Sequence, residues 1–125
     1  MTDQPATLYT RLGGYEGIVV LTVHELFPRL RSSRRLARFW ANRSADSLRR
    51  EEQLLVDFLC SRMGGPRTYA GRDMATAHIG LGVTARDWNV FIYYLEKSLN
   101  KFFPARERGE VLSFIESLKA DIVEA

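Results

Sequence analysis

Two histidines, His24 and His78, and one cysteine, Cys60, are the soft or borderline metal-binding side chains of this 125-residue chain. Neutral imidazole is a good ligand for iron, zinc and copper. His78 lies at the end of a short helical run and is followed at once by Gly80 and Gly82. One imidazole cannot close a zinc site, which takes four ligands. It is enough for a haem, whose iron brings four nitrogens and asks for one axial side chain. The same residue type also caps helix-end carbonyls or packs in a core, and position alone leaves those readings open. His24 falls within an amphipathic run, one turn before Phe27. Cys60 falls on a helix where packing is the simpler use of a thiol.

The elements that must position these groups come from one domain's worth of chain, residues 1–125, with 1–6 as a loose N-terminal tail. Hydrophobic residues make up 46% and charged residues 26%, the balance of an ordinary globular core. No apolar run is long enough to cross a membrane, and Met1 to Thr7 lacks a signal-peptide core. With a single cysteine excluding an internal disulfide framework, the expected location is cytoplasmic. The net charge is +3. Arg29, Arg31, Arg34, Arg35 and Arg38 form a basic cluster, read either as a solvated face or as a phosphate patch. No nucleic-acid motif accompanies it, so no nucleic acid and no membrane partner are expected.

Periodicity predicts helices only, an all-α class. Thr7 to Leu12 forms a short turn that stops at Gly13-Gly14. From Tyr15, Ile18, Val19, Val23, Leu26, Phe27 and Leu30 share a face, and Pro28 predicts a kink or a short helix. Ser44 to Met63 is a longer helix, capped by Ser44 or Asp46. Its stripe is Leu48, Leu54, Leu55, Phe58, Leu59 and Met63, and Gly64-Gly65-Pro66 ends it. Residues 73–79 make a short helix carrying His78. Thr84 caps a helix that reaches about Phe102, with Trp88, Phe91, Ile92, Leu95 and Leu99 inward. Pro104 opens the last helix, whose stripe is Val111, Leu112, Ile115, Leu118 and Ile122.

The ordered pieces Leu8-Tyr9, Leu12-Gly13-Gly14, Phe39-Trp40, Gly64-Gly65-Pro66, Tyr69-x-Gly71-Arg72-x-Met74 and His78-x-x-Leu81-x-Val83-Thr84 resemble a truncated haemoglobin of group I. The resemblance runs from about Thr7 to Val123. It implies a truncated globin, a two-over-two helical sandwich around one haem b. It also implies His78 as the proximal iron ligand, Trp40 as the wedge against the ring and Phe39 beside it as a haem-binding residue. Phe27, Leu54, Leu55, Phe58 and Leu59 would line the distal side. Met74, Leu81, Val83, Trp88 and Ile92 would line the proximal side or the haem edge. Tyr69, Arg72 and Arg50 would meet the propionates, for which guanidinium is well shaped.

The departures from that family shape the expected function. Members commonly carry a tyrosine in helix B, the family's letter for the helix that starts here at Tyr15, where this chain has Phe27, or Leu26 if the register slips by one residue. They commonly carry glutamine or histidine in the middle of helix E, the family's letter for the helix from Ser44 to Met63, where this chain has Leu54 and Leu55. Glu51 is the nearest polar candidate, either turned inward as a neutral donor or spent on an arginine; Gln53 should point away. The resemblance therefore implies a protein that binds dioxygen, carbon monoxide and nitric oxide in an unusually apolar distal pocket, with dioxygen held weakly. Nitric oxide dioxygenation or peroxidase-like chemistry, with a reductase as partner, is the alternative.

Overall fold

The turn at Gly13 and Gly14 shows why the chain needs glycine there: both residues are left-handed, at φ 96° and 70°. In the computed structural model, which describes residues 6–124, this turn separates α1 (Leu8–Arg11) from a long helical run. The expected tail, apart from Ala6, lies outside the described residues. No strand occurs among the described residues, so the all-α expectation holds. The run comprises α2 (Gly14–Val19), a π-helical stretch (Val20–Leu26) and α3 (Phe27–Ser32). A 3-10 turn (Ala37–Trp40) follows. Then come α4 (Ala45–Arg62), α5 (Met74–His78), α6 (Ala85–Phe102), α7 (Ala105–Glu116) and α8 (Lys119–Ile122).

The π stretch is the main departure from simple periodicity. Pro28 has no N–H to give the carbonyl of His24, and four β-branched residues, Val19, Val20, Thr22 and Val23, crowd the preceding turns. The helix responds by widening before the proline: the Phe27 N–H reaches back to the Thr22 carbonyl, five residues away. Thr22 Oγ1 donates to the Ile18 carbonyl at 2.8 Å, and Arg29 Nη1 donates to the Glu25 carbonyl at 3.2 Å. The expected kink at Pro28 is thus a wide turn placed upstream, and Pro28 sits in the first turn of α3.

Caps fix the other helix starts. Ser44 accepts from the Ser47 N–H, and Asp73 from the Thr76 N–H. Thr84 and Asp87 form a reciprocal capping box for α6. Pro104 occupies the cap position, one residue before α7 begins. The last helix is not continuous. Ser117 Oγ bonds the Phe114 carbonyl, an interaction that competes with helix propagation, and the chain restarts as α8.

Four long pieces make the sandwich. The Gly14–Leu26 stretch packs on α4, while α6 packs on α7 and reaches the π stretch and α3. Leu12, Ile18, Leu21, Val56, Leu99 and Val111 are at most 1% exposed at their junction. Burial of such an aliphatic side chain contributes about 1.5–3 kcal/mol. The short helix α5 is held from outside by α8.

The basic cluster is mostly consumed within the fold. Arg29 pairs with Glu25 and Arg31 with Glu52. Arg35 and Arg38 both reach Asp87, tying the 3-10 turn to the start of α6.

Candidate functional site

The site begins with the protonation of one ring. His78 Nδ1 lies 2.8 Å from the Met74 carbonyl oxygen. A carbonyl only accepts, so Nδ1 carries the hydrogen, and the neutral ring keeps its lone pair on Nε2. Orientation by a backbone carbonyl is the usual support for a metal-ligating imidazole. Asp73 starts the helix that delivers it, with Oδ1 2.7 Å from the Thr76 N–H. That bond holds the Asp73 carboxyl below its ordinary range. Among the described residues no cluster of three or more His, Cys, Asp or Glu side chains is placed to hold a metal ion. His78 belongs to no such cluster, and a single imidazole is what a haem iron would ask of the chain, whereas a closed zinc site would ask for more.

Uncovered apolar surface accompanies it. Ile79 and Leu81, directly after His78, are 76% and 51% exposed, and Leu54 on α4 is 42% exposed. Met74, Val83, Leu55 and Ile92 are only half-buried. Leaving large aliphatic side chains in water forgoes about 25 cal/mol per Å². A flat apolar iron macrocycle would fit both features, taking one nitrogen and covering hydrocarbon.

The helix-B and helix-E candidates divide into two aromatic groups. Phe27, 4% exposed, meets Trp40 edge-on with ring centroids 6.3 Å apart. Phe39 meets the same indole at 6.2 Å. On α4, Phe58 packs against Tyr69 at 5.2 Å and Phe114 at 6.0 Å. Leu59 is buried beside it. Trp88 is 2% exposed and contacts Phe91 at 5.4 Å; its Nε1 donates to Glu116 Oε1 at 3.2 Å. The register question in helix B has a physical origin here. A π turn holds one residue more than an α turn and rotates everything beyond it by about 100°. It is Phe27 that contacts Trp40.

Two candidates, Glu51 and Tyr69, are engaged otherwise than as ring contacts. Glu51 is not turned inward as a donor: its Oε2 accepts from Trp40 Nε1 at 2.9 Å and forms an ion pair with Arg43 Nη1 at 3.0 Å. A carboxylate holding an indole and a guanidinium is an acceptor only. Tyr69 spends its hydroxyl on the Arg72 carbonyl, and burial pushes that hydroxyl above its ordinary range. Arg50 and Arg72 are exposed, with no acidic partner among the described residues. Gln53 points away, toward Tyr15 and Asp57. His24 is exposed in a surface groove with Glu25, Arg29 and Tyr94. Cys60 is fully buried, and burial raises its thiol.

Sequence reasoning missed Arg43, Asp87 and Glu124. Asp87 is 1% exposed, with Oδ2 2.6 Å from Arg38 Nη2 and 2.9 Å from the Thr84 N–H. Arg35 Nε stands 2.8 Å from Oδ1, an ionic contact whose N–H is not aimed along the line. Thr84-x-x-Asp87 is a visible capping-box pattern; its arginine partners, some fifty residues earlier, are not. Glu124 reaches the loop after His78.

Comparison with known proteins bears on this arrangement. Residues 7–124 match the bacterial-like globin family. The chain is 28% identical over 120 residues to the group 1 truncated hemoglobin GlbN of Mycolicibacterium paratuberculosis, covering 95% of this chain and 85% of that one. It is 27% identical over 99 residues to the group 1 truncated hemoglobin of Tetrahymena pyriformis, covering 79% and 78%. The crystal structure of truncated hemoglobin from Tetrahymena pyriformis in its Fe(III) form superposes with a TM-score of 0.84 at 24% identity, covering 96% and 100%. The group II truncated hemoglobin of Bacillus anthracis superposes at 0.84 with 20% identity, covering 98% and 95%. With a family match over almost its whole length and structural neighbours that superpose over nearly all of it, the chain belongs to the bacterial-like globin family and has the two-over-two fold of the truncated haemoglobins.

Proposed function

We propose that this globin holds a haem b through His78 Nε2 and binds dioxygen, carbon monoxide and nitric oxide on the opposite face. The observation that carries the reading is the His78 Nδ1 to Met74 bond at 2.8 Å, which leaves Nε2 free to ligate. Family membership supports the haem; the haem type and the ligands are the proposal. When bound, a ferrous haem supplies an open sixth position for a diatomic gas.

The chain's own residues set what happens there. Met74, Leu81, Val83, Trp88 and Ile92 give hydrocarbon beside the imidazole. Phe27, Leu54, Leu55 and Phe58 exclude water on the other side and offer no N–H or O–H. Phe39 and Trp40 wedge the edge, and the indole N–H is already committed to Glu51. Arg50 and Arg72, exposed and without an acidic partner among the described residues, would meet the propionates. A partly anionic ligand such as bound dioxygen gains about 1.5–3 kcal/mol from a donor, and the helix-B and helix-E positions withhold it. Carbon monoxide, less polar when bound, loses less.

Absorption spectra of the purified ferric, ferrous and carbon monoxide forms test this reading. A Soret band that disappears or loosens in His78→Ala is expected. A colourless protein from cells well supplied with iron and porphyrin, or unchanged haem retention in that variant, rejects it.

A further inference from the structure

Gly80-Leu81-Gly82, the segment that leaves His78, has little to hold it. Gly80 and Gly82 are left-handed, at φ 81° and 73°. A Cβ built on Gly80 would meet nothing within 4 Å, and the flanking Ile79 and Leu81 are largely exposed. The hydrogen bonds within this segment are local, from the Ile79 N–H to Ala75 and from the Leu81 N–H to His78. Only one residue from elsewhere in the chain bonds to it among the described residues. Glu124 Oε1 accepts from the Gly80 N–H at 2.9 Å, and the Glu124 N–H donates to the Val83 carbonyl at 2.8 Å. The second carboxylate oxygen lies 3.9 Å from the Cβ position of Gly82.

These contacts form a clamp. Glu124 lies two residues beyond the end of α8, and α8 packs against α5, so both ends of the glycine loop are pinned to one short strap. A hydrogen bond to a charged acceptor contributes more than a neutral one, and here it acts on an N–H two residues from the imidazole. Glycine-rich backbone without such a tie samples many conformations, and each would aim His78 differently.

We propose that Glu124 is a positioning residue for His78: its carboxylate and backbone N–H lock the loop that sets the angle and height of the proximal imidazole. The inference rests on His78 being the haem ligand, and it assigns a role to a side chain that touches neither iron nor gas. The C-terminal strap then controls how firmly the haem is held and how strongly the proximal nitrogen pulls on it.

Three readouts on the haem-loaded protein test the clamp. In the wild type, amide hydrogen exchange at Gly80 is expected to be at least about tenfold slower than at Gly82, whose N–H has no acceptor among the described residues. Glu124→Ala is expected to release haem to excess apomyoglobin about tenfold faster, and to broaden or shift the iron–histidine stretching band of the ferrous form. Glu124→Gln keeps a carbonyl oxygen for Gly80 and should restore both properties to within about threefold of wild type. Wild-type haem release and an unchanged stretching band in Glu124→Ala, or equal exchange at Gly80 and Gly82, overturn the proposal. A missing iron–histidine band in the wild type instead rejects His78 as ligand, so the two failures are separable.

Discussion

Replacing Asp87 by alanine tests how the fold carries Phe39 and Trp40. The side chain is 1% exposed and has three partners: the Thr84 N–H at 2.9 Å, Arg38 at 2.6 Å and Arg35 at 2.8 Å. Losing its half of the capping box costs about 1 kcal/mol. A hydrogen bond to a charged group is worth about 1.5–3 kcal/mol. Arg35 and Arg38 are 36% and 49% exposed and can turn to water, so only one such bond counts in full. The expected loss is about 2.5–4 kcal/mol, or about 10–16 °C in Tm for a chain of this length. Thermal unfolding of the haem-loaded protein, followed by circular dichroism, measures it. The pH dependence gives a second check. Burial opposes ionisation of Asp87, but hydrogen bonds from Arg38 and Thr84 override it and hold the carboxyl well below the usual carboxylate range. The unfolded group titrates near about 4. Its contribution is therefore full above that value and fades as pH falls toward the folded one, so the gap between wild type and variant should narrow in acid. A Tm change under about 3 °C at pH 7, or a gap that widens in acid, refutes the network as the anchor of the 3-10 turn.

Phe27→Tyr should slow dioxygen release by about ten- to a hundredfold, the equivalent of one donor to a charged acceptor, while carbon monoxide release changes less; flash photolysis showing no difference between the two gases counts against Phe27 as a wall of the ligand pocket. Gly17→Ala should cost roughly 3 kcal/mol, because a Cβ there would stand 1.8 Å from the Leu12 carbonyl oxygen; urea titration with an unchanged midpoint would contradict that close approach. Cys60 should react with a disulfide reagent only as fast as the chain opens globally, since it is fully buried and its thiol is raised; rapid labelling under native conditions would place it at the surface.

Much of the architecture was legible because local chemistry and the apolar pattern agree. Ser44, Asp73 and Thr84 announce helix starts that the structure uses, and the glycine turn at residues 13–14 needs left-handed backbone that few other residues tolerate. His78 stood out as the one histidine in the matching place. What escaped was non-local. Nothing near Asp87 in the sequence says that Arg35 and Arg38 will fold onto it. Glu51 has a carboxylate's two options, and the choice between pocket and surface depends on where Trp40 and Arg43 arrive. Glu124 sits in an unremarkable charged ending, and its use depends on α8 lying along α5. The proline was read correctly as a disturbance, but its effect travels toward the N-terminus, since the carbonyl it leaves without a partner belongs to the turn before.

That wide turn between Val20 and Leu26 has a consequence for how such chains diverge. A helix that stores one surplus residue can give it up without moving its ends. Removing a single residue there would convert the stretch to plain α geometry, keep α3 in place, and leave the Phe27–Trp40 contact intact. Adding one elsewhere along the run would turn a different side chain toward Trp40. The identity of the residue facing Trp40 is thus governed by where the helix hides its extra link as much as by which amino acid occupies a given number.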